Sequence, residues 1–231
     1  MNKYQMKIAL WEALDSTLPF NLVKRVDRYK RYFFYKKRGA IFIHIPKAAG
    51  SSVTASLYGR RLGHHKASDV RAEMPTLYQN LFTFAFVRNP WSRLYSSYKY
   101  AVNQGGSHGG IKAKDIYNSQ VFSSFKSFVL NWLPSVDLSS EDPVFRSQSS
   151  YLYEANDLLV DYVGRVESFS ESLIEISNIS GITLEEINMN RSKNNKESYL
   201  ESYTAEMVKV VSQVYAEDIK RFNYTFDDGQ T

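Results

Sequence analysis

Residues 41–52, IFIHIPKAAGSS, constrain this chain most: an apolar run breaks at a proline into a lysine, small residues, a glycine and paired serines. Ile41, Phe42, Ile43 and Ile45 have the β-rich character and length of a fully buried parallel strand, and Pro46 stops it. Ala48, Ala49 and Gly50 carry almost no side chain, so backbone N–H groups can close around an anion. Ser51 and Ser52 open a helix whose N-terminus attracts negative charge, Lys47 supplies a counter-charge, and Gly59 is placed to end the helix after Tyr58. Strand, small-residue turn and helix also describe an ordinary strand-to-helix connection, so the pattern alone fits both readings. It is not the loop of ATP- and GTP-binding proteins, where the lysine follows the last glycine; here Lys47 precedes Gly50.

A second apolar run, residues 81–87, LFTFAFV, reads as another buried parallel strand. It ends in Arg88, Asn89 and Pro90, where Asn89 suits a helix N-cap and Pro90 the first helical position. Trp91, Leu94, Tyr95, Tyr98 and Val102 then form an apolar stripe at helical spacing. Arg88 therefore stands at the carboxyl end of a strand, where open α/β sheets bind ligands, and Ser96 lies on the second turn of the helix, off the stripe. Taken singly, Arg88 also fits a helix-end ion pair and Ser96 a neutral helix position.

At 231 residues the chain is long enough for one domain with a sizeable core, and residues 1–231 are read as a single unit. No apolar run approaches a membrane span, and acids interrupt the only candidate for a signal-peptide core, so a cytoplasmic location is expected. The absence of cysteine excludes disulfides, thiolate metal sites and a cysteine nucleophile. Of the net charge of +5, residues 1–40 carry +7 and the remainder −2. The excess concentrates in residues 24–38, KRVDRYKRYFFYKKR, read as a basic aromatic helix. Such a segment either touches an anionic polymer or membrane surface, or packs its aromatic face on the core with its charges solvated; the second reading is preferred.

Three of the four histidines lie near the loop. His44 sits in the strand, where a satisfied core histidine is expected, whereas His64 and His65 follow Gly63 in a loop, a usual place for chemistry. Residues 104–110, with His108, read as a flexible loop, and residues 122–132 as aromatic core. Residues 143–153 are a candidate lining for an acceptor groove. Ser168 and Glu171 fit a capping box on a helix ending near Gly181, and Met207, Val211, Val214, Tyr215, Ile219 and Phe222 trace one core-facing helix.

Together, IPKAAGSS and FAFVRNPWSRLYSSY resemble the two cofactor-binding signatures of the sulfotransferases, in particular the carbohydrate (family 2 type) group. DYVGRVESFSESLIEI is similar to the family's later strand and helix, and the tail from residue 187 resembles its Asn-x-Ser loop, Tyr-rich turn and closing helix. The resemblance runs from about residue 40 to 226 and leaves out the basic N-terminal segment. It implies a P-loop-like α/β fold, a three-layer sandwich with a central, mainly parallel sheet flanked by helices. It also implies 3′-phosphoadenosine 5′-phosphosulfate (PAPS) as donor and the desulfated nucleotide PAP as product. By the same resemblance Lys47, Ala48, Ala49, Gly50, Ser51 and Ser52 surround the 5′-phosphosulfate, and Arg88 and Ser96 grip the 3′-phosphate.

The expected activity is therefore transfer of a sulfuryl group to a hydroxyl acceptor, with a carbohydrate acceptor implied by the resemblance. Lys47 would stabilise charge on the leaving phosphate, and a histidine would take the acceptor proton. Relatives carry a histidine followed three residues on by alanine, which selects His64 over His65 against Ala67. The scheme needs no metal, and no nucleic-acid partner is expected. Two competitors stand beside it. A nucleotide-dependent kinase would carry the usual lysine and an acidic magnesium ligand after a strand, where Arg88 stands instead. A non-catalytic module for anionic polysaccharide or membrane would use the basic N-terminus and would have no need of Lys47, Arg88 and Ser96 together.

Overall fold

In the computed structural model, which describes residues 20–103, 114–184 and 199–228, the core is a three-stranded parallel sheet. Its strands are β1 (Ala40–Ile43), β2 (Phe82–Val87) and, after a short hairpin of β3 (Tyr153–Glu154) and β4 (Asp157–Leu158), β5 (Tyr162–Arg165). The order is β1-β2-β5, with Ala40 opposite Phe82 and Ala85 opposite Val163. Every residue of β1 is buried, because a parallel sheet flanked by helices on its faces has no solvent side; this is why its sequence is continuously apolar.

The longer helices are α1 (Phe20–Arg38), α2 (Gly50–Tyr58), α3 (Ala67–Glu73), α4 (Pro75–Asn80), α5 (Pro90–Val102), α6 (Phe169–Ser180), α7 (Ala205–Val214) and α8 (Ala216–Phe222). The α/β architecture with a central parallel sheet and flanking helices is the one the sequence predicts. Both strand-to-helix junctions fall where the motifs put them. Gly59 ends α2 in the left-handed region at φ 68, its N–H on the Ala55 carbonyl, while Asn89 caps α5 by accepting from Trp91 N and Ser92 N. The edge of β1 is closed by Tyr58, whose hydroxyl accepts from Phe42 N at 2.9 Å and donates to the Ala40 carbonyl at 3.1 Å.

Several local expectations are corrected. β1 stops at Ile43, so His44 and Ile45 belong to the turn rather than the strand. Ser168 occupies the N-cap position of α6, yet its side chain makes no capping hydrogen bond, so there is no capping box. The closing helix is two helices, α7 and α8, broken at Tyr215 with φ −108 and ψ 29. The aromatic run does form core, as short turns that stack Phe122, Phe128 and Trp132 around Phe145. Only part of the aromatic content of α1 packs inward: Tyr35 is buried, but Tyr29, Tyr32 and Phe33 are 71%, 41% and 50% exposed. His108 and the Asn-x-Ser loop lie outside the described residues.

Candidate active site

The loop from Ile45 to Gly50 leaves the sheet beside the end of β2, so residues 46–52 and 88–96 form one rim. Lys47 and Ala49 take left-handed backbone conformations, at φ 66 and φ 56, whereas Gly50 does not. Glycine is required at 50 for space: a Cβ there would stand 1.8 Å from His44 Cδ2 and 2.0 Å from His44 Nε2. Ala49 is the N-cap of α2 and makes no side-chain hydrogen bond; its carbonyl accepts from Ser52 N at 3.1 Å and Val53 N at 3.4 Å, and Ser51 and Ser52 are half-buried at this helix start. Ala48 is fully buried beneath.

Lys47 is half-buried, with its Nζ 4.5 Å from the centre of the Tyr100 ring. Burial first, then the positive charges of Arg88 and Arg93, lowers its pKa to about 8. Arg88 Nη1 donates to the Lys47 carbonyl at 3.4 Å and Arg88 Nε to Ser92 Oγ at 3.0 Å, so the strand-end guanidinium lies against the loop. Burial also lowers the Arg88 pKa, partly offset by the Glu167 carboxylate, but a guanidinium stays charged. Ser96 lies two turns along α5, half-buried, and its hydroxyl has no hydrogen-bond partner among the described residues.

Several residues that build this rim carry no signal in local sequence pattern. Gln148 is fully buried and clasps the main chain of Arg88, accepting from its N–H at 2.9 Å and donating to its carbonyl at 2.8 Å. Asp218, also fully buried, accepts from the N–H groups of Gln148 and Ser149 at 2.7 and 2.8 Å. Glu167 accepts from Asn89 N at 2.7 Å and from the Tyr224 hydroxyl at 2.9 Å. Arg93 is on the face of α5 opposite the apolar stripe, where periodicity predicts solvent, yet it is only 2% exposed. It donates to the carbonyls of Pro46 and Arg146, both at 2.9 Å, while its Nη2 is buried without a partner among the described residues.

The two adjacent histidines have different surroundings. His64 Nδ1 lies 3.1 Å from the His44 carbonyl, and because a carbonyl only accepts, Nδ1 carries the proton and Nε2 keeps its lone pair. Burial of the ring, and the charges of Arg61 and Arg93, lower the His64 pKa against the opposing pull of that carbonyl, although the residue as a whole keeps exposed surface. His65 instead lies against Arg31 of α1, with Nη1 3.0 Å from Nδ1. His44 is not the satisfied core histidine expected. Its ring is buried 4.1 Å from the His64 ring, its Nδ1 has no partner among the described residues, and desolvation, with His64 and Arg61, holds it well below the usual range and therefore neutral. No cluster of metal-ligating side chains occurs among the described residues.

This rim, cationic and ending in helix N-termini, is the environment an anionic donor needs. Neither a curated protein nor a solved structure matches the chain. The model of the sulfotransferase family matches residues 30–225, which takes in the rim, the histidines, Gln148, Glu167 and Asp218 and begins within α1. The chain is therefore a transferase of sulfuryl groups and belongs to the sulfotransferase family.

Proposed function

We propose that the protein transfers the sulfuryl group of PAPS to a carbohydrate hydroxyl, with His64 as the general base. The observation that carries the reading is the contact of Arg88 with the Lys47 carbonyl, which puts two cations on one rim with Arg93 beneath them. In this reading Lys47 to Ser52 hold the 5′-phosphosulfate, and Arg88 and Ser96 hold the 3′-phosphate through a guanidinium and a hydroxyl. PAPS, when bound, supplies the activated sulfuryl group and leaves as PAP. The Lys47 ammonium and the loop N–H groups face the negative charge that develops on the leaving phosphate. His64 Nε2, free because Nδ1 is committed to the His44 carbonyl, receives the acceptor proton.

The carbohydrate class of acceptor rests on the sequence resemblance. The kinase reading is disfavoured by the strand end itself, where Arg88 stands and where Glu167 is already engaged by Asn89 N and Tyr224. A polyanion or membrane surface is a further proposed partner for the exposed face of α1, where Tyr29, Tyr32 and Phe33 stand near Lys36 and Lys37. Neutralising Lys36, Lys37 and Arg38 tests it: turnover on a small acceptor should be unchanged, and a loss confined to a long anionic acceptor identifies a polymer contact.

The donor site is tested by thermal unfolding in the presence of a chelator. PAP at a hundredfold excess over its Kd should add about 2.7 kcal/mol, and Arg88→Ala should remove most of that gain. Stabilisation by ATP and magnesium with none by PAP would overturn the reading. For the base, His64→Ala should cut turnover roughly a hundredfold or more with PAP affinity nearly intact; normal turnover would place the base elsewhere.

A further inference from the structure

We propose that Arg31, on α1, is a positioning residue for His64 and acts through His65. The inference rests on the reading of His64 as base. Residues 61–66, which carry both histidines from α2 to α3, have no regular secondary structure, so ladder hydrogen bonds do not fix them. Leu62 is buried, and Gly63 turns the chain at φ +85 with the edge of the His65 ring so close that a Cβ on residue 63 would be 2.7 Å from Nε2. The ring of His64 is held by His44, through its carbonyl and through its ring 4.1 Å away. The next residue is held from the other side of the segment by α1.

Arg31 is suited to hold it. The residue is 3% exposed, a burial that a cation tolerates only with partners around it. Those partners are Glu73 at the end of α3, Asp27 one turn earlier at 3.7 Å, and a ring nitrogen of His65. The guanidinium thus bridges α1, α3 and the histidine segment. One turn on, Tyr35 packs on Tyr58 of α2 with ring centres 5.7 Å apart, and the Arg60 guanidinium sits 5.4 Å from the Phe34 ring. Consequently α1 grips the segment at its start, through Arg60, and near its end, through His65. A catalytic base must be held within a fraction of an ångström to be effective, and a segment without its own ladder gets that precision from such side-chain supports.

The experiment is a double-mutant cycle in the full chain, using Arg31→Met, His65→Leu and the pair, with His64→Ala as reference. Arg31→Met should lower kcat about tenfold with KM for the donor and PAP affinity unchanged, and Arg31→Lys should recover part of the loss. His65→Leu should act alike, and the double variant should be no worse than the worse single one, because both remove the same support. Losses that multiply, or an Arg31→Met enzyme with normal kcat, would overturn the proposal. If Arg31→Met does not fold, as judged by loss of PAP-induced stabilisation, His65→Leu decides alone: normal kcat overturns the proposal and a tenfold loss supports it. Normal turnover of His64→Ala would instead remove the base reading on which the proposal stands, a result distinct from the other two.

Discussion

Gly50 shows how a single position can be legible in kind and illegible in cause. Sequence marks it as a small residue in an anion-binding loop, but its backbone does not use glycine's left-handed freedom; that conformation falls on Lys47 and Ala49. Such conformations cost non-glycine residues on the order of 1–3 kcal/mol each, so the surrounding packing must hold the loop. What Gly50 supplies is room for the His44 ring, which cannot retreat between Phe42, 5.8 Å away, and His64, 4.1 Å away. Gly50→Ala is therefore expected to cost about 2–3 kcal/mol by overpacking and to weaken PAP. Adding His44→Ala should return most of the stability, since it removes the collision. Urea unfolding of the single and double variants checks this, and strictly additive losses would mean that residue 50 is constrained by something other than the ring.

Between elements, the decisive contacts join β2 to segments far along the chain. In residues 143–153, whose sequence suits an acceptor lining, Val144, Phe145, Tyr151 and Leu152 are buried core and Gln148 clasps Arg88, while Ser147, Ser149, Ser150 and Tyr153 line a pocket. Asp218 in α8 then fixes Gln148 through its N–H. Gln148→Ala leaves two buried main-chain groups of Arg88 without partners, a loss on the order of 1–3 kcal/mol. It should also weaken PAP severalfold while leaving a nucleotide without the 3′-phosphate nearly unaffected, measured by titration calorimetry. An unchanged PAP affinity with lowered stability would make Gln148 a scaffold residue without influence on Arg88. β1, β2 and the starts of α2 and α5 were readable because apolar runs, Gly59, Asn89 and Pro90 are local signals, whereas β5 was legible only through the family resemblance and the β3–β4 hairpin left no such signal. Gln148 and Arg88 are paired over 60 positions, and the break at Tyr215 interrupts no apolar spacing, so neither leaves a local trace.

For the molecule as a whole, the sequence showed where charge is concentrated but not where it acts. The excess lies in residues 1–40, whereas the cations on the donor rim are Lys47, in the loop after β1, Arg88, just past β2, and Arg93 of α5, brought together by the parallel sheet. Their crowding predicts a pH dependence. Lys47, lowered to about 8 by burial and by the two arginines, is protonated at neutral pH and loses its proton as pH rises through 8. In the free protein the folded state binds fewer protons than the unfolded chain between about pH 8 and the ordinary lysine range, so this group adds stability as pH rises there. Binding has the opposite sign, because an anionic donor favours the ammonium. The Kd for PAP should therefore be level near pH 7 and rise above pH 8, by up to about tenfold per pH unit, the slope for one linked proton. Lys47→Met should bind PAP weakly at every pH and lose this rise, since Arg88 and Arg93 remain charged throughout. A wild-type affinity that is flat between pH 7 and 9.5, or a Lys47→Met profile that still falls with the same slope, would show that Lys47 does not carry the charge that holds the donor.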